Sequence, residues 1–271
     1  MKALRGVRIG FIGAGTMGQA LIKGLLTHGV SPKRLAVAEQ NPDTRRRVAQ
    51  QFHLHVHSQN LHVARDASVI ILAVKPQQVP EVVSMLAPHL GRRHLVISIA
   101  AGITLRWLKA RLPGVPVIRV MPNLPATVAQ GFSAITASRD TTSSHRALAR
   151  AIFSAVGEVV ELPERYFDAV TAVSGSGPAY LFYLIQAWED AARALGLPSA
   201  VSANAIRQTL RGSTRLLEVS DEPASTLIAR VASKGGTTEA ALKVLAKRKV
   251  SASFVEALRA AARRSRELSW S

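Results

Sequence analysis

The sequence predicts an α/β protein in which a mostly parallel sheet domain, residues 1–163, precedes an all-α domain, residues 164–271. Three observations carry this. The short apolar run Val7-Arg8-Ile9 leads into G-F-I-G-A-G-T-M-G, Gly10 to Gly18, and Ala20, Leu21, Leu25 and Leu26 follow at helical spacing. Strand-like runs then alternate with helical patterns as far as Leu162. From Glu164 onward the strand signal disappears.

Strand, glycine turn and helix in that order are the context in which G-x-G-x-x-G signals a dinucleotide. Gly13 permits the tight turn, Gly15 lets the backbone approach a pyrophosphate, and Gly18 lets helix and strand pack closely, with Ala14, Thr16 and Met17 completing the loop. The diphosphate then rests on the free N–H groups of the helix N-terminus. The sheet domain is therefore read as Rossmann-type. Its further strands are expected at Leu35–Ala38, Val69–Val74, Leu95–Ala100, Val117–Val120 and Phe132–Thr136, with Glu158–Leu162 last and Pro163 breaking the pattern. The βαβ rhythm implies a sheet covered on both faces.

Residues at the carboxyl ends of parallel strands line the ligand crevice. That rim takes in Asn60, Val74, Lys75, Ala100, Ala101 and Gly102. Met121 and Asn123 lie on it too, where a capped strand and turn explains them as well as a ligand contact does. The second strand runs into Glu39-Gln40-Asn41. Glu39 falls about 20 residues after the glycines, where an acid meets the ribose hydroxyls of NAD. Arg45, Arg46 and Arg47 begin the next helix and suit the 2′-phosphate of NADP. These two signals leave the cofactor open.

His53, His55 and His57 alternate with Leu54 and Val56, so in a strand they share one face, and His62 follows. Metal binding needs three convergent ligands. The expectation is the polar outer face of an edge strand and no metal.

The helical half opens with Pro178 to Leu195, apolar nearly all round (Tyr180, Leu181, Phe182, Leu184, Ile185, Trp188), and Gly196 lies past its end. Further helices are expected over Ser199–Val219, Pro223–Ala232, Thr238–Arg248 and Ser251–Leu268. An all-round apolar helix wants burial on several faces, which this small domain supplies poorly. A second subunit is expected to complete it. Ser174-Gly175-Ser176-Gly177 and Ser233-Lys234-Gly235-Gly236-Thr237-Thr238-Glu239 each open a helix. The second is either an anion nest or a plain cap.

Composition bounds the rest. The net charge of +18 raises nucleic-acid binding, but the basic residues are spread along the chain and aromatics make up 5%, so a solvated basic surface is the preferred reading. Cysteine is absent, which fits a reducing cytoplasm. No signal-peptide pattern and no uncharged run of membrane-spanning length occurs.

Taken together, G-F-I-G-A-G-T-M-G, I-L-A-V-K-P-Q, I-S-I-A-A-G-I-T, R-V-M-P-N-L-P-A, A-V-S-G-S-G-P-A-Y and S-K-G-G-T-T-E-A-A-L resemble the pyrroline-5-carboxylate reductase family, in order over nearly the whole chain. The resemblance implies NAD(P)H-dependent reduction of 1-pyrroline-5-carboxylate to L-proline, the last step of proline biosynthesis. It implies homodimers with interlocked helical domains, which can assemble into decamers. It puts the cofactor on Gly13, Ala14, Gly15, Thr16, Met17, Gly18, Gln40, Asn41, Asn60, Val74, Lys75, Ala100 and Ala101. Small polar residues after the second strand move the choice toward NADPH, with NADH left open. The substrate carboxylate is assigned to Ser233, Gly236, Thr237 and Thr238, and Glu164 to a substrate-side position. Thr238 is the candidate catalytic residue, its hydroxyl meeting the imine nitrogen. A cyclic iminium needs no strong general acid. This agrees with the lack of any lysine between Lys109 and Lys234, where related 3-hydroxyacid dehydrogenases use a lysine of the helical domain. Leu124 replaces the family's usual threonine, and Pro223–Ile228 carries one extra residue and lacks the usual basic one. A related cyclic-imine reductase, or a nucleotide-sensing or nucleic-acid-binding protein without turnover, is the alternative.

Overall fold

In a computed structural model that describes residues 2–270, the chain forms two compact units. One comprises residues 2–176 and 261–270, the other 177–260. Compactness thus divides the chain after residue 176 rather than 163. The reason is that Glu164 and Asp168 bond to groups of the first unit: Arg119 and Leu105 for Glu164, Ser265 for Asp168.

The first unit is built on an eight-stranded sheet: β1 Ile9–Ile12, β2 Leu35–Ala38, β3 Val56–His57, β4 Val69–Leu72, β5 Leu95–Ser98, β6 Val117–Met121, β7 Gly131–Ala137 and β8 Gly157–Glu161. The strand order is β3-β2-β1-β4-β5-β6-β7-β8. Every neighbouring pair is parallel except β6 and β7, which the short turn at Leu124–Val128 joins antiparallel. The mostly parallel sheet expected from the βαβ rhythm is what the chain forms.

β1, β4 and β5 are buried throughout, which is why they read as unbroken apolar runs. Their side chains alternate between two cores. Phe11, Ile71 and Ile97 meet α1 (Thr16–Thr27), α2 (Pro42–Phe52) and α6 (Ser143–Phe153) through Leu21, Phe52 and Phe153. Ile12, Ile70 and Val96 meet α3 (Asn60–Asp66), α4 (Val79–Leu86) and α5 (Leu105–Arg111) through Val63, Val83 and Leu108. Each fully buried large aliphatic side chain in these two layers contributes about 2 kcal/mol.

The histidine expectation needs correction. His53 is not in a strand: it ends α2 in the left-handed conformation, φ 53°. β3 is only Val56–His57, at the sheet edge as expected. His55 and His57 lie with ring centroids 4.4 Å apart, and His62 is 5.1 Å from His57. Among the described residues no group of three or more His, Cys, Asp or Glu has the geometry to hold a metal.

α7 (Phe167–Val170) and a π-helical turn, Thr171–Gly175, close the first unit's main segment. The second unit contains α8 Gly177–Ala194, α9 Ser199–Val219, α10 Ala224–Val231 and α11 Thr237–Lys247. α12, Val250–Glu267, belongs to it as far as Ala260. These bounds lie within a residue or so of those the helical periodicity predicts. In this unit only Ala192, Ser202 and Ile206 are buried. No helix among the described residues is long and apolar enough to cross a membrane.

Candidate functional site

The glycine loop between β1 and α1 is shaped for a phosphate. Gly13 has φ +92°, and a Cβ there would lie 2.8 Å from Val74 Cγ1 and 2.9 Å from the Ala73 carbonyl. Its N–H donates to the Ala38 carbonyl, which ties the turn to the end of β2. Gly15 is the N-cap of α1 and has no side chain to satisfy the helix, and no acid occupies the first turn. The first intrahelical donor is Gln19, to the Gly15 carbonyl. The N–H groups of Thr16, Met17 and Gly18 thus stand at the positive end of the helix dipole without helical acceptors. Ala14 and Gly18 are buried beneath the loop, while Gly15 and Thr16 are exposed.

Beside this loop lies a cavity of about 440 Å³, lined by Gly13, Gly15, Gln40, Asn41, Asn60, Val74 and Lys75 among the residues predicted for the cofactor. Ala100 is buried and Ala101 exposed at the end of β5, outside that lining. Thr44, Gln78, Glu81 and Val82 also line it and were not foreseen. Thr44, Glu81 and Val82 sit in the first turns of α2 and α4 and Gln78 is the N-cap of α4, where the sequence shows only ordinary helix starts. The cradle, the uncapped helix and the cavity all fit a dinucleotide.

Glu39 also lines this cavity, and its carboxylate holds two backbone amides. One carboxylate oxygen accepts the Ala14 N–H and the other the Asn41 N–H, both at 2.9 Å. Glu39 therefore stitches the glycine loop to the loop after β2. Asn41 caps α2 by accepting the Thr44 N–H. Arg45 donates to the carbonyls of Glu39 and Gln40, which brings its charge to this loop, whereas Arg46 pairs with Asp43.

The second nest lies at the start of α11. Ser233 to Gly236 form a turn closed by the Gly236 N–H on the Ser233 carbonyl. Gly236 is the N-cap and brings no side-chain acceptor. The next helical donor is Ala240, to the Gly236 carbonyl. The amides of Thr237, Thr238 and Glu239 are consequently free of helical acceptors, while that of Gly236 is spent in the turn. Glu239 braces the turn: its carboxylate accepts the Gly235 N–H and pairs with Lys243 at 2.8 Å. These contacts, the Lys243 hydrogen bond foremost and then the Gly235 amide, hold its carboxyl below the usual range. Thr238 is half-buried and Ser233 exposed.

Glu164 lies in the first unit. Its Oε1 accepts from Arg119, a buried residue, and from the Leu105 N–H, both at 2.8 Å. Asn123 is a structural tie: its Oδ1 accepts the Phe132 N–H, and its Nδ2 donates to Ser174 in the π-helical turn.

With this geometry in place, known proteins give the lineage. A family model described as pyrroline-5-carboxylate reductase dimerisation matches residues 164–268, and one described as NADP oxidoreductase, coenzyme F420-dependent, matches 8–102. A pyrroline-5-carboxylate reductase of Synechocystis is 40% identical over 263 residues, covering 97% of this chain and 98% of its own. The chain belongs to the pyrroline-5-carboxylate reductase family. Another reductase of this name, from Pseudomonas aeruginosa, is 41% identical over 263 residues, 96% of each chain. The solved pyrroline-5-carboxylate reductase of Coxiella burnetii superposes with a TM-score of 0.90 at 34% identity, covering 98% of this chain and 99% of that one. The pyrroline carboxylate reductase of Plasmodium falciparum, solved with NADP bound, gives 0.88 at 29% identity, covering 98% of this chain and 99% of that one. Family membership makes the chain an NAD(P)-dependent oxidoreductase with a dimerisation domain.

Proposed function

We propose that this reductase converts 1-pyrroline-5-carboxylate to L-proline, with NADPH preferred over NADH. The observation that carries the reading is the pair of uncapped helix starts in one chain: one behind a glycine loop, the other, at α11, behind a serine and glycine turn. The first suits a pyrophosphate and the second a small carboxylate. When bound, the nicotinamide supplies the hydride for the imine carbon.

The chain's own groups bind and orient. The amides of Thr16, Met17 and Gly18 take the pyrophosphate, and Asn60, Val74, Lys75, Ala100 and Ala101 form the wall. Glu39 holds two backbone amides, and Gln40 and Asn41, with the Arg45 charge beside them, meet the 2′-phosphate. That arrangement supports NADPH. Ser233 and the amides of Thr237 and Thr238 clamp the substrate carboxylate, with Gly236 allowing close approach. The Thr238 hydroxyl meets the ring nitrogen, and Glu164 contributes its second oxygen on the substrate side. Fixing both the carboxylate and the nitrogen supplies an orientation effect without a strong general acid. The enzyme acts in the cytoplasm as a homodimer with interlocked helical domains, a unit from which a decamer can assemble. The apolar residues that α8 leaves exposed support the dimer.

Following NAD(P)H oxidation with 1-pyrroline-5-carboxylate tests the reading. Turnover is expected, with the higher kcat/KM for NADPH. No turnover, together with salt-sensitive nucleic-acid binding, would overturn it.

A further inference from the structure

The segment after α12 is built into the first unit at one particular loop. Trp270 donates its N–H to the Gly102 carbonyl at 2.8 Å, and Thr104 Oγ1 donates to the Trp270 carbonyl at 2.7 Å. Ile103 and Trp270 form a parallel β-bridge. The Trp270 ring meets the Trp107 ring edge to face, centroids 5.8 Å apart, and the Arg111 guanidinium covers Trp107 at 3.9 Å. Upstream, Ser265 donates to Asp168 at 2.8 Å and Ser269 to the Ser265 carbonyl at 2.9 Å, so the segment is fixed at both ends.

Gly102 shows how closely the two backbones lie. It has φ +76°, and a Cβ there would sit 2.7 Å from the Leu268 carbonyl. Only glycine admits the segment at this distance.

The braced loop, 99–104, leaves the end of β5. In a dinucleotide laid across the strand ends, the pyrophosphate sits at β1 and the adenosine ribose beyond β2. The other half then crosses the ends of β4 and β5, where Ala100 and Ala101 lie. Their methyl side chains cannot anchor the loop across any distance. The loop has anchors of its own, Ile103 in the core and the Ile99 N–H on the Leu72 carbonyl, and is braced further by Trp270 on one side and by Glu164, which accepts the Leu105 N–H, on the other.

We propose that Leu268–Trp270 is a strap that sets the position of the Ala100–Ala101 wall against the nicotinamide, and that Trp270 is a positioning residue for hydride delivery. The proposal rests on the assignment of Ala100 and Ala101 to the cofactor.

The test is Trp270→Ala, with Trp270→Phe as the conservative variant and Gly102→Ala pushing Leu268 away while keeping the indole. In Trp270→Ala the expected kcat is lower by about tenfold, the scale on which a small misplacement acts. The KM for the imine stays within about twofold, because the clamp at α11 is untouched. The isotope effect on kcat with cofactor deuterated at the transferred position rises, since hydride transfer becomes the slower step. Trp270→Phe restores most of kcat, and Gly102→Ala reproduces the loss. Should Trp270→Ala prove insoluble, Gly102→Ala and Trp270→Phe carry the same comparison. A kcat and isotope effect equal to wild type in Trp270→Ala or Gly102→Ala, or a loss confined to thermal stability, would overturn the strap. Failure of the wild type itself to turn over would instead sink the proposed reaction. Cofactor affinity, read by fluorescence titration in wild type and Trp270→Ala, would then still test the strap: weaker binding in the variant supports it and equal binding overturns it.

Discussion

Thr238 is the residue on which the proposed chemistry turns. Its backbone amide and its hydroxyl fall at the first turn of α11, so one residue can serve both the carboxylate and the ring nitrogen. Replacement by alanine keeps the amide and deletes the hydroxyl. We expect Thr238→Ala to lower kcat/KM by about 10- to 100-fold, with the effect mainly on kcat if the hydroxyl contact strengthens in the transition state. An unchanged kcat/KM would remove Thr238 from the mechanism. His57 carries a different signature, in stability. Partial burial, and then the neighbouring His55 and His62, push its pKa below 6.5, and Asp66 offsets only part of this. The unfolded chain takes up this proton at higher pH than the folded one does. Folding therefore loses stability as pH falls from about 6.5 through the folded pKa, and the full contribution is present above 6.5. Melting temperatures of wild type and His57→Gln between pH 7.5 and 5, as rough limits spanning that window, should separate toward the acid end, wild type falling further because only it carries the penalised imidazolium. Parallel curves would assign the pH response to other groups.

At the scale of elements, the nest before α11 depends on a brace as well as on its amides. Glu239 holds the Gly235 N–H from within the same helix turn, with Lys243 beside it. Its depressed pKa means that the brace is in place above the ordinary carboxylate range and is lost as pH falls through the folded value. Glu239→Gln weakens the acceptor and removes the pair with Lys243. We expect the KM for the imine to rise about fivefold while the cofactor KM stays put, the scale of one net hydrogen bond. An equal rise in both would mean general loosening. Elements of this kind were legible in the sequence because their cause is local. The glycine pattern, the unbroken runs of β1, β4 and β5, and the helix periods after Glu164 all depend on near neighbours in the chain. What escaped depends on distant ones. Trp270 meets Gly102 across the whole second unit of sequence, and Glu39 turns to the amide of Ala14. His53 leaves the expected strand because α2 needs a left-handed residue to stop. A period-two pattern does not distinguish that residue from a strand neighbour.

For the whole molecule the decisive fact is how little of the second unit is buried. On α8, Phe182 is 56% and Tyr183 72% exposed, and Leu181, Leu184 and Trp188 stand open on a stripe spaced by three and four residues. A contiguous apolar face of this kind on a folded unit marks an interface. The matched dimerisation model spans this helix. In a two-fold interface each residue acts twice. Leu184 is 49% exposed, so withdrawing the remainder from water contributes about 1 kcal/mol, about 2 kcal/mol per dimer. Leu184→Arg forfeits that and adds the cost of burying a charge. At about 1.4 kcal/mol per tenfold, the two together should raise the dimer dissociation constant about a hundredfold or more. Light scattering on a gel-filtration column at micromolar concentration should then report the monomer mass, against a dimer or larger for wild type. The melting temperature of wild type should rise with protein concentration, and that of the variant should not. A variant that keeps the wild-type mass at the same concentration would place the interface elsewhere than on this stripe of α8.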